Sequence, residues 1–236
     1  MGRGYFAFKQ FKIWQDRCAM KVTTDACIFG AVVQPPSEGR ILDIGTGTGL
    51  LALMLAQRSN ARIDAVELDE LAAQQARDNV NESPWPEKIK VHQANIISFQ
   101  ASTQYDLVVC NPPFFANQLP SADPRKRQAW HQSTLSLEHL AIAIQRLLAD
   151  NGQAYVLLPP DEASAFLDHG IDHGLYLTSQ ISHHSFSESA AHLHTLILKK
   201  HATTWTETKK LVYYQSAQKD HTPEAYQLLQ PYYLYL

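Results

Sequence analysis

The sequence predicts an α/β domain, a mostly parallel, doubly wound sheet with helices on both faces and an antiparallel strand pair towards its C-terminal end. Three observations predict it. From about residue 40, short β-branched runs alternate with longer segments whose apolar residues recur at helical spacing. A glycine-rich turn, Gly45-Thr46-Gly47-Thr48-Gly49, follows the first of these runs, and a later run stops at Asn111-Pro112-Pro113-Phe114. With 236 residues, 45% hydrophobic and 18% charged, the chain suits one such domain with short additions.

Arg40–Ile44 is the first expected strand, and Thr48 to about Ser59 the helix after it, burying Leu50, Leu51, Leu53, Met54 and Leu55. Ile63–Glu67, the helix Leu71–Asn81, Ile89–Gln93 and Tyr105–Cys110 continue the alternation. After a polar stretch from Asn117 to His131, Leu135–Ala149 reads as a helix ended by Asn151-Gly152, and Ala154–Leu158 as a strand closed by Pro159-Pro160. Asp161–Gly170 is expected to be helical. Leu177–Ser185 and His192–Lys199 alternate well enough for an antiparallel pair. Tyr226, Tyr232, Tyr233 and Tyr235, interleaved with leucines, read as packing residues.

Composition narrows the function. A net charge of −3 and a pI of about 6.4 argue against a globally basic nucleic-acid coat. Residues 1–24 nevertheless carry Arg3, Lys9, Lys12, Arg17 and Lys21 against Asp16 alone, so any nucleic-acid contact is expected to be regional. No signal peptide and no membrane-length apolar run is present, which predicts a cytoplasmic protein without a membrane partner. Cys18, Cys27 and Cys110 are too dispersed for a zinc knuckle and read as reduced thiols. Among eleven histidines, His192 with His194 and His169 with His173 have pairwise spacing but no third ligand nearby, so no metal is expected. Ser133 and Ser136 lack a nucleophile-elbow context.

The chemistry concentrates at strand ends. Glycines suit the turn after the first strand because a Cβ would block a ligand's approach to the backbone. Leu50 stands where a dinucleotide fingerprint asks for a further glycine, which weakens the case for a pyrophosphate. Glu67 ends the second strand about 20 positions after the glycines, where a carboxylate can accept both hydrogen bonds of a ribose diol. Asn95, just past the third strand, can meet an adenine edge or simply form a turn.

In a sheet of order 3-2-1-4-5, the first and fourth strands are neighbours, so Asn111 falls beside the glycine turn. An aromatic amine is a poor nucleophile because its lone pair is delocalised. Asn111 Oδ1 and the Pro112 carbonyl can accept its two N–H bonds and favour the positive charge that develops on attack. Pro112-Pro113 stiffens that turn, and Phe114 can stack on a flipped base, a contact of roughly 1–3 kcal/mol. Methyl transfer to nitrogen is the reaction these groups suit. Arg125-Lys126-Arg127, in the polar stretch that follows, are either a phosphate clamp or a solvated charge run. Lys9 and Lys12, with Arg17 and Lys21 among Phe8, Phe11 and Trp14, form a second candidate RNA surface.

With Asp43–Gly49, Glu67 and Asn111–Phe114 in this order, the chain resembles the class I S-adenosylmethionine-dependent methyltransferases over nearly its whole length. Phe8–Ile13, Gln15-Asp16, Met20–Asp25, Tyr226–Leu229 and Tyr232–Leu234 resemble the bacterial tRNA1(Val) adenine-37 N(6)-methyltransferases within that class. The resemblance implies a Rossmann-like fold and S-adenosyl-L-methionine as cofactor, with residues 1–34 as an N-terminal extension on the cofactor and substrate side of a domain spanning 35–236. It implies a cofactor site of Asp43, Gly45, Thr46, Gly47, Gly49, Glu67, Leu68, Asn95 and Asn111, with Lys21, Thr23 and Asp25 near the methionine end. Asn111, Pro112 and Phe114 are expected to hold the target adenine. Phe115, Arg125, Lys126, Arg127, Lys9 and Lys12 are expected to meet the RNA, an anticodon loop of a valine tRNA.

Two positions depart from the family, which more often has tyrosine at Phe114 and an acidic residue at Asn95. Asn-Pro-Pro-Phe also occurs in guanine N(2)-methyltransferases of ribosomal RNA, so the base stays open. A release-factor glutamine methyltransferase, a non-catalytic RNA-binding module retaining the fold and a nucleotide-dependent oxidoreductase are the other readings.

Overall fold

A computed structural model describes residues 4–18, 20–112, 135–204 and 206–235. Pro113, Phe114, Phe115, Arg125, Lys126 and Arg127, all named in the expected site, lie outside the described residues. The chain opens with a hairpin of β1 (Tyr5–Ala7) and β2 (Lys12–Trp14), followed by α1 (Thr24–Val32). The alternation then runs β3 (Arg40–Ile44), α2 (Leu50–Ala56), β4 (Arg62–Glu67), α3 (Glu70–Asn81), β5 (Ile89–Gln93) and β6 (Tyr105–Cys110). After the undescribed stretch come α4 (Leu137–Leu147), β7 (Leu148–Leu158), α5 (Pro160–Asp172), β8 (Tyr176–His184), β9 (Leu193–Lys199), β10 (Glu207–Val212) and α6 (Pro223–Leu229).

One eight-stranded sheet carries the domain in the order β10-β8-β9-β7-β6-β3-β4-β5. The β5-β4-β3-β6-β7 half is parallel, as expected for strands joined by helical crossovers. The expected antiparallel pair is present: β9 pairs antiparallel with both β7 and β8. A strand the alternation did not mark, β10, adds parallel to β8 and closes that edge. Its burial pattern explains the omission, since Leu211 alone is buried along Glu207–Val212.

Strand alternation builds two cores. On one face Ile41, Leu107, Val109, Tyr155 and Leu157 pack with α1, α2 and α6 and with Phe8, Phe11 and Ile13 of the N-terminal hairpin region. On the other, Leu42, Ile44, Val108, Cys110 and Val156 pack with α4 and α5. Helix α2 has no side-chain cap, but all seven of its residues are buried. Each of its leucines contributes roughly 1.5–3 kcal/mol of transfer free energy, which outweighs the missing cap, worth about 1 kcal/mol. By contrast α3, α4 and α6 are capped by Asp69, Ser136 and Thr222.

The expected helix through Ala149 ends earlier, at Leu147, because β7 begins at Leu148 opposite Tyr105. Pairing resumes with Gln153 opposite Leu107, so the residues between bulge out of register. Gly152 permits this, since a Cβ there would lie 2.9 Å from the Tyr105 carbonyl oxygen. Of the C-terminal tyrosines, Tyr232 is buried as expected, whereas Tyr226 and Tyr235 are exposed.

Candidate active site at the carboxyl edge of the sheet

Strand β3 ends at Ile44 opposite Cys110 of β6 and opposite Val66 of β4, so the glycine turn leaves the sheet between the ends of its two neighbours. Gly45 N–H and Thr46 N–H both donate to the Val66 carbonyl, at 2.9 and 3.1 Å. Gly45, Gly47 and Gly49 have φ of 70°, 56° and 84°, the left-handed region where a side chain is strained. Around Gly45 nothing lies within 4 Å of where a Cβ would sit, leaving an open cradle above the turn.

Glu67 ties that turn to the next strand. Its Oε2 accepts from Gly47 N–H at 2.9 Å and its Oε1 from Asp69 N–H at 3.0 Å. A carboxylate offers about four acceptor sites, so lone pairs remain for a ribose diol. Leu68, beside it, is an exposed apolar residue, and so is Ile97 past the end of β5. Ile97 was not anticipated; an apolar side chain two residues after Asn95 was its only signal. Asn95 takes the turn-forming option, its Oδ1 accepting from Ile97 N–H at 2.9 Å.

Asp43 is fully buried under the turn. Its Oδ2 accepts from Thr46 Oγ1 at 2.5 Å and from Ala52 N–H at 3.2 Å, while Oδ1 has no partner among the described residues. Burial pushes its carboxyl up to about 7, against the two hydrogen bonds and with help from the Glu67 charge. Asn111 stands one residue beyond β6, next to Gly45 across the β3–β6 pairing. Its Oδ1 is also buried and unpartnered among the described residues, and Pro112 behind it is buried. Two acceptor oxygens thus face no donor on adjacent strand ends, an expensive arrangement unless a ligand supplies the donors.

Burial, then the charges of Asp43 and Glu67, push the Cys110 thiol well up, and burial raises that of Cys18. Cys18 lies over the turn, its Sγ 3.8 Å from where a Gly47 Cβ would stand. Nothing in its sequence neighbourhood marked it as part of the site.

Of the remaining expected residues, Thr23 caps α1 by accepting from Ala26 N–H at 3.1 Å. Asp25 binds His192 Nε2 at 2.9 Å, and Lys21 Nζ donates to the carbonyls of Gln15 and Cys18. Lys9 donates to the Gln230 carbonyl, Lys12 lies 5.5 Å from the Tyr5 ring centroid, and Arg17 pairs with Asp78. Phe8 and Phe11, between those cations, belong to the core. No three His, Cys, Asp or Glu side chains converge on a metal-sized site among the described residues.

The methyltransferase small domain, as a family, matches residues 20–128. A Cytophaga hutchinsonii protein named tRNA1(Val) (adenine(37)-N6)-methyltransferase is 43% identical over 239 residues, covering all of both chains. The Bacteroides fragilis protein of that name is 44% identical over 77% of this chain and 78% of its own, and the Serratia proteamaculans one 38% over 99% and 91%. The chain belongs to the tRNA1(Val) (adenine(37)-N6)-methyltransferase family.

Solved structures agree on the fold. A predicted O-methyltransferase of Agrobacterium tumefaciens superposes with a TM-score of 0.61 at 19% identity, over 88% of this chain and 96% of its own. A Pyrococcus furiosus methyltransferase gives 0.55 at 20% identity, over 76% and 83%. Membership in this family makes S-adenosyl-L-methionine the cofactor. The Gly45 cradle, the spare acceptors of Glu67 and the unpartnered Asp43 Oδ1 fit that molecule's hydroxyl and ammonium donors.

Proposed function

We propose that this protein methylates the 6-amino group of adenine 37, beside the anticodon of tRNA1(Val). The observation carrying this reading is Asn111, whose buried Oδ1 lacks a donor among the described residues at the end of β6, beside the open glycine turn of β3. When bound, S-adenosyl-L-methionine supplies an electrophilic methyl group on a sulfonium. Glu67 accepts from its ribose hydroxyls, Leu68 and Ile97 flank its adenine, and Asp43 faces its positive end. In this reading residues 1–34 form an extension on the cofactor and substrate side of the domain spanning 35–236.

Asn111 Oδ1 and the Pro112 carbonyl accept the two N–H bonds of the target amine, orienting its nitrogen lone pair towards the methyl group. The acceptors stabilise the ammonium-like charge as the bond forms, so no proton leaves before transfer. Phe114 stacks on the base, and Phe115, Arg125, Lys126 and Arg127 meet the RNA around it, with Lys9 and Lys12 at the N-terminal extension.

Mass spectrometry of nucleosides from tRNA incubated with the protein and S-adenosyl-L-methionine tests this directly. N(6)-methyladenosine mapped to position 37 of tRNA1(Val) is the expected product. N(2)-methylguanosine, or methylation confined to protein, would overturn the proposal.

A further inference from the structure

The chain from Trp14 to Asp25 spans the carboxyl edge of the sheet and is fastened on both sides of the site. At its start, Trp14 N–H donates to Asn79 Oδ1 at 2.8 Å, and Asn79 Nδ2 donates back to the Trp14 carbonyl and to Thr48 in the glycine turn, at 2.9 and 2.8 Å. Arg17 N–H donates to Gln75 Oε1 at 2.9 Å. Cys18 then lies over Gly47, and Val22 N–H is held by Gln15 Oε1 at 2.8 Å. At its end, Asp25 in the first turn of α1 meets His192, just ahead of β9 and 167 residues away in sequence.

The His192 side chain has no other hydrogen bond among the described residues: Nδ1 is buried and unpartnered, and its ring stands edge-on to Tyr213, centroids 5.3 Å apart, while its backbone N–H donates to the His183 carbonyl at 2.9 Å. The Asp25 carboxylate also receives the Tyr213 hydroxyl. Behind Tyr213, a buried chain continues to His183 Nδ1 at 2.9 Å and from His183 Nε2 to Thr195 Oγ1 at 2.7 Å. One assignment is consistent along this chain: Thr195 donates to His183 Nε2, His183 Nδ1–H to Tyr213, and the Tyr213 hydroxyl to Asp25. The far anchor is therefore built on β8, β9 and the end of β10, rigid elements at the same edge as Asn111.

We propose that His192 is a positioning residue for cofactor binding, fastening the Trp14–Asp25 segment through Asp25 so that Cys18 stays seated against the glycine turn. The proposal rests on the cofactor site lying at that turn. Losing His192 removes one of the two side-chain ties on Asp25 and loosens that end of the segment, while Asn79 and Gln75 still hold the other. The cofactor then binds an ensemble in which only a fraction is correctly closed, which raises its apparent Kd by the reciprocal of that fraction and leaves the reacting groups in place.

Three measurements on the full chain test it, using His192→Ala and His192→Gln, whose amide can still donate to Asp25. Calorimetry with S-adenosyl-L-methionine should show binding weakened roughly tenfold in His192→Ala and restored to within about threefold in His192→Gln. Hydrogen exchange without ligand should show faster exchange at Val22, Ala26 and Cys27 in His192→Ala, with β3 and β6 unchanged. Kinetics should show KM for the cofactor raised and kcat retained. Unchanged affinity in His192→Ala, or a His192→Gln protein as impaired as His192→Ala, would overturn the proposal. Wild-type binding of the cofactor without tRNA methylation would instead overturn the proposed function alone.

Discussion

The two halves of the sheet's carboxyl edge are built in opposite ways. At the β3–β4 end, functional groups are joined by contacts close in sequence: Gly47 to Glu67 spans 20 residues, Thr46 to Asp43 three. At the β8–β10 end, the polar groups reach across the chain, from Asp25 to His192 over 167 residues and from His183 to Tyr213 over 30. Among the described residues, the first half leaves acceptors unpartnered at Asp43 and at Asn111, just past the adjoining β6. The second half links Asp25, Tyr213, His183 and Thr195 through hydrogen bonds, and of this anchor only His192 Nδ1 is buried and unpartnered among the described residues. Unsatisfied polar groups belong where a ligand will satisfy them, whereas closed networks rigidify. The difference assigns chemistry to one half and support to the other.

Breaking that division most severely should be Asn111→Ala. Loss of one preorganised acceptor at a developing charge costs on the order of 10²–10³ in rate, so kcat should fall by about that factor while cofactor affinity holds. Single-turnover methylation alongside calorimetry separates the two. Retained kcat would move the chemistry away from the β6 end. Next in size, Glu67→Ala removes the proposed ribose acceptor and the tie to Gly47 together, and cofactor Kd should rise about 100-fold. Circular dichroism melting should show little change, because Glu67 is partly exposed. A large drop in Tm would make Glu67 a structural tie instead.

A subtler separation comes from Asp43→Asn. The Asp43 carboxyl is raised to about 7, so between its unfolded pKa of about 4 and 7 the folded state binds more protons and stability falls as pH rises. Above pH 7 the charge sits buried with one oxygen unpartnered. Asparagine keeps an acceptor for Thr46 and Ala52 and removes that charge. At pH 8 the variant should melt at or above the wild-type temperature yet bind the cofactor roughly tenfold more weakly. Lower stability with unchanged affinity would show that Asp43 serves the turn and not the ligand.

The same contrast explains what the sequence made legible. The five parallel strands, the glycine turn, Glu67 and Asn111 could be placed because each is specified by its neighbours: a β-branched run, then a turn residue at its end. Strand β10 escaped because it forms an edge with a single buried side chain, leaving no period-two signal. Cys18, His192 and Tyr213 escaped for a different reason. Each acquires its role from a partner that only the folded chain brings near. The apolar residues Phe8 and Phe11, grouped in the sequence with lysines as a candidate RNA surface, are core residues beneath those lysines. Alternating charge and aromaticity in the short connection between β1 and β2 cannot say which side is covered.

The supporting half has its own, smaller signature in pH. Burial, then the neighbouring His192, lowers the pKa of His183 to about 3. Between pH 6.5 and 3 the unfolded chain therefore carries a proton on this residue that the folded protein excludes, and stability falls as pH falls. Burial likewise depresses His194, with the same sign. Burial opposes the charge on Asp25, but hydrogen bonds from His192 and Tyr213 hold its pKa below the usual carboxylate value. Its contribution is lost only as pH drops through that lowered value, so the first loss below 6.5 belongs to the histidines. For a fully buried His183 the decrement from pH 6.5 to 5 is on the order of 2 kcal/mol. His183→Gln can still bond Tyr213 and Thr195 without titrating, so its urea midpoint should change less over that interval. Equal slopes in the two proteins would remove His183 from the acid response.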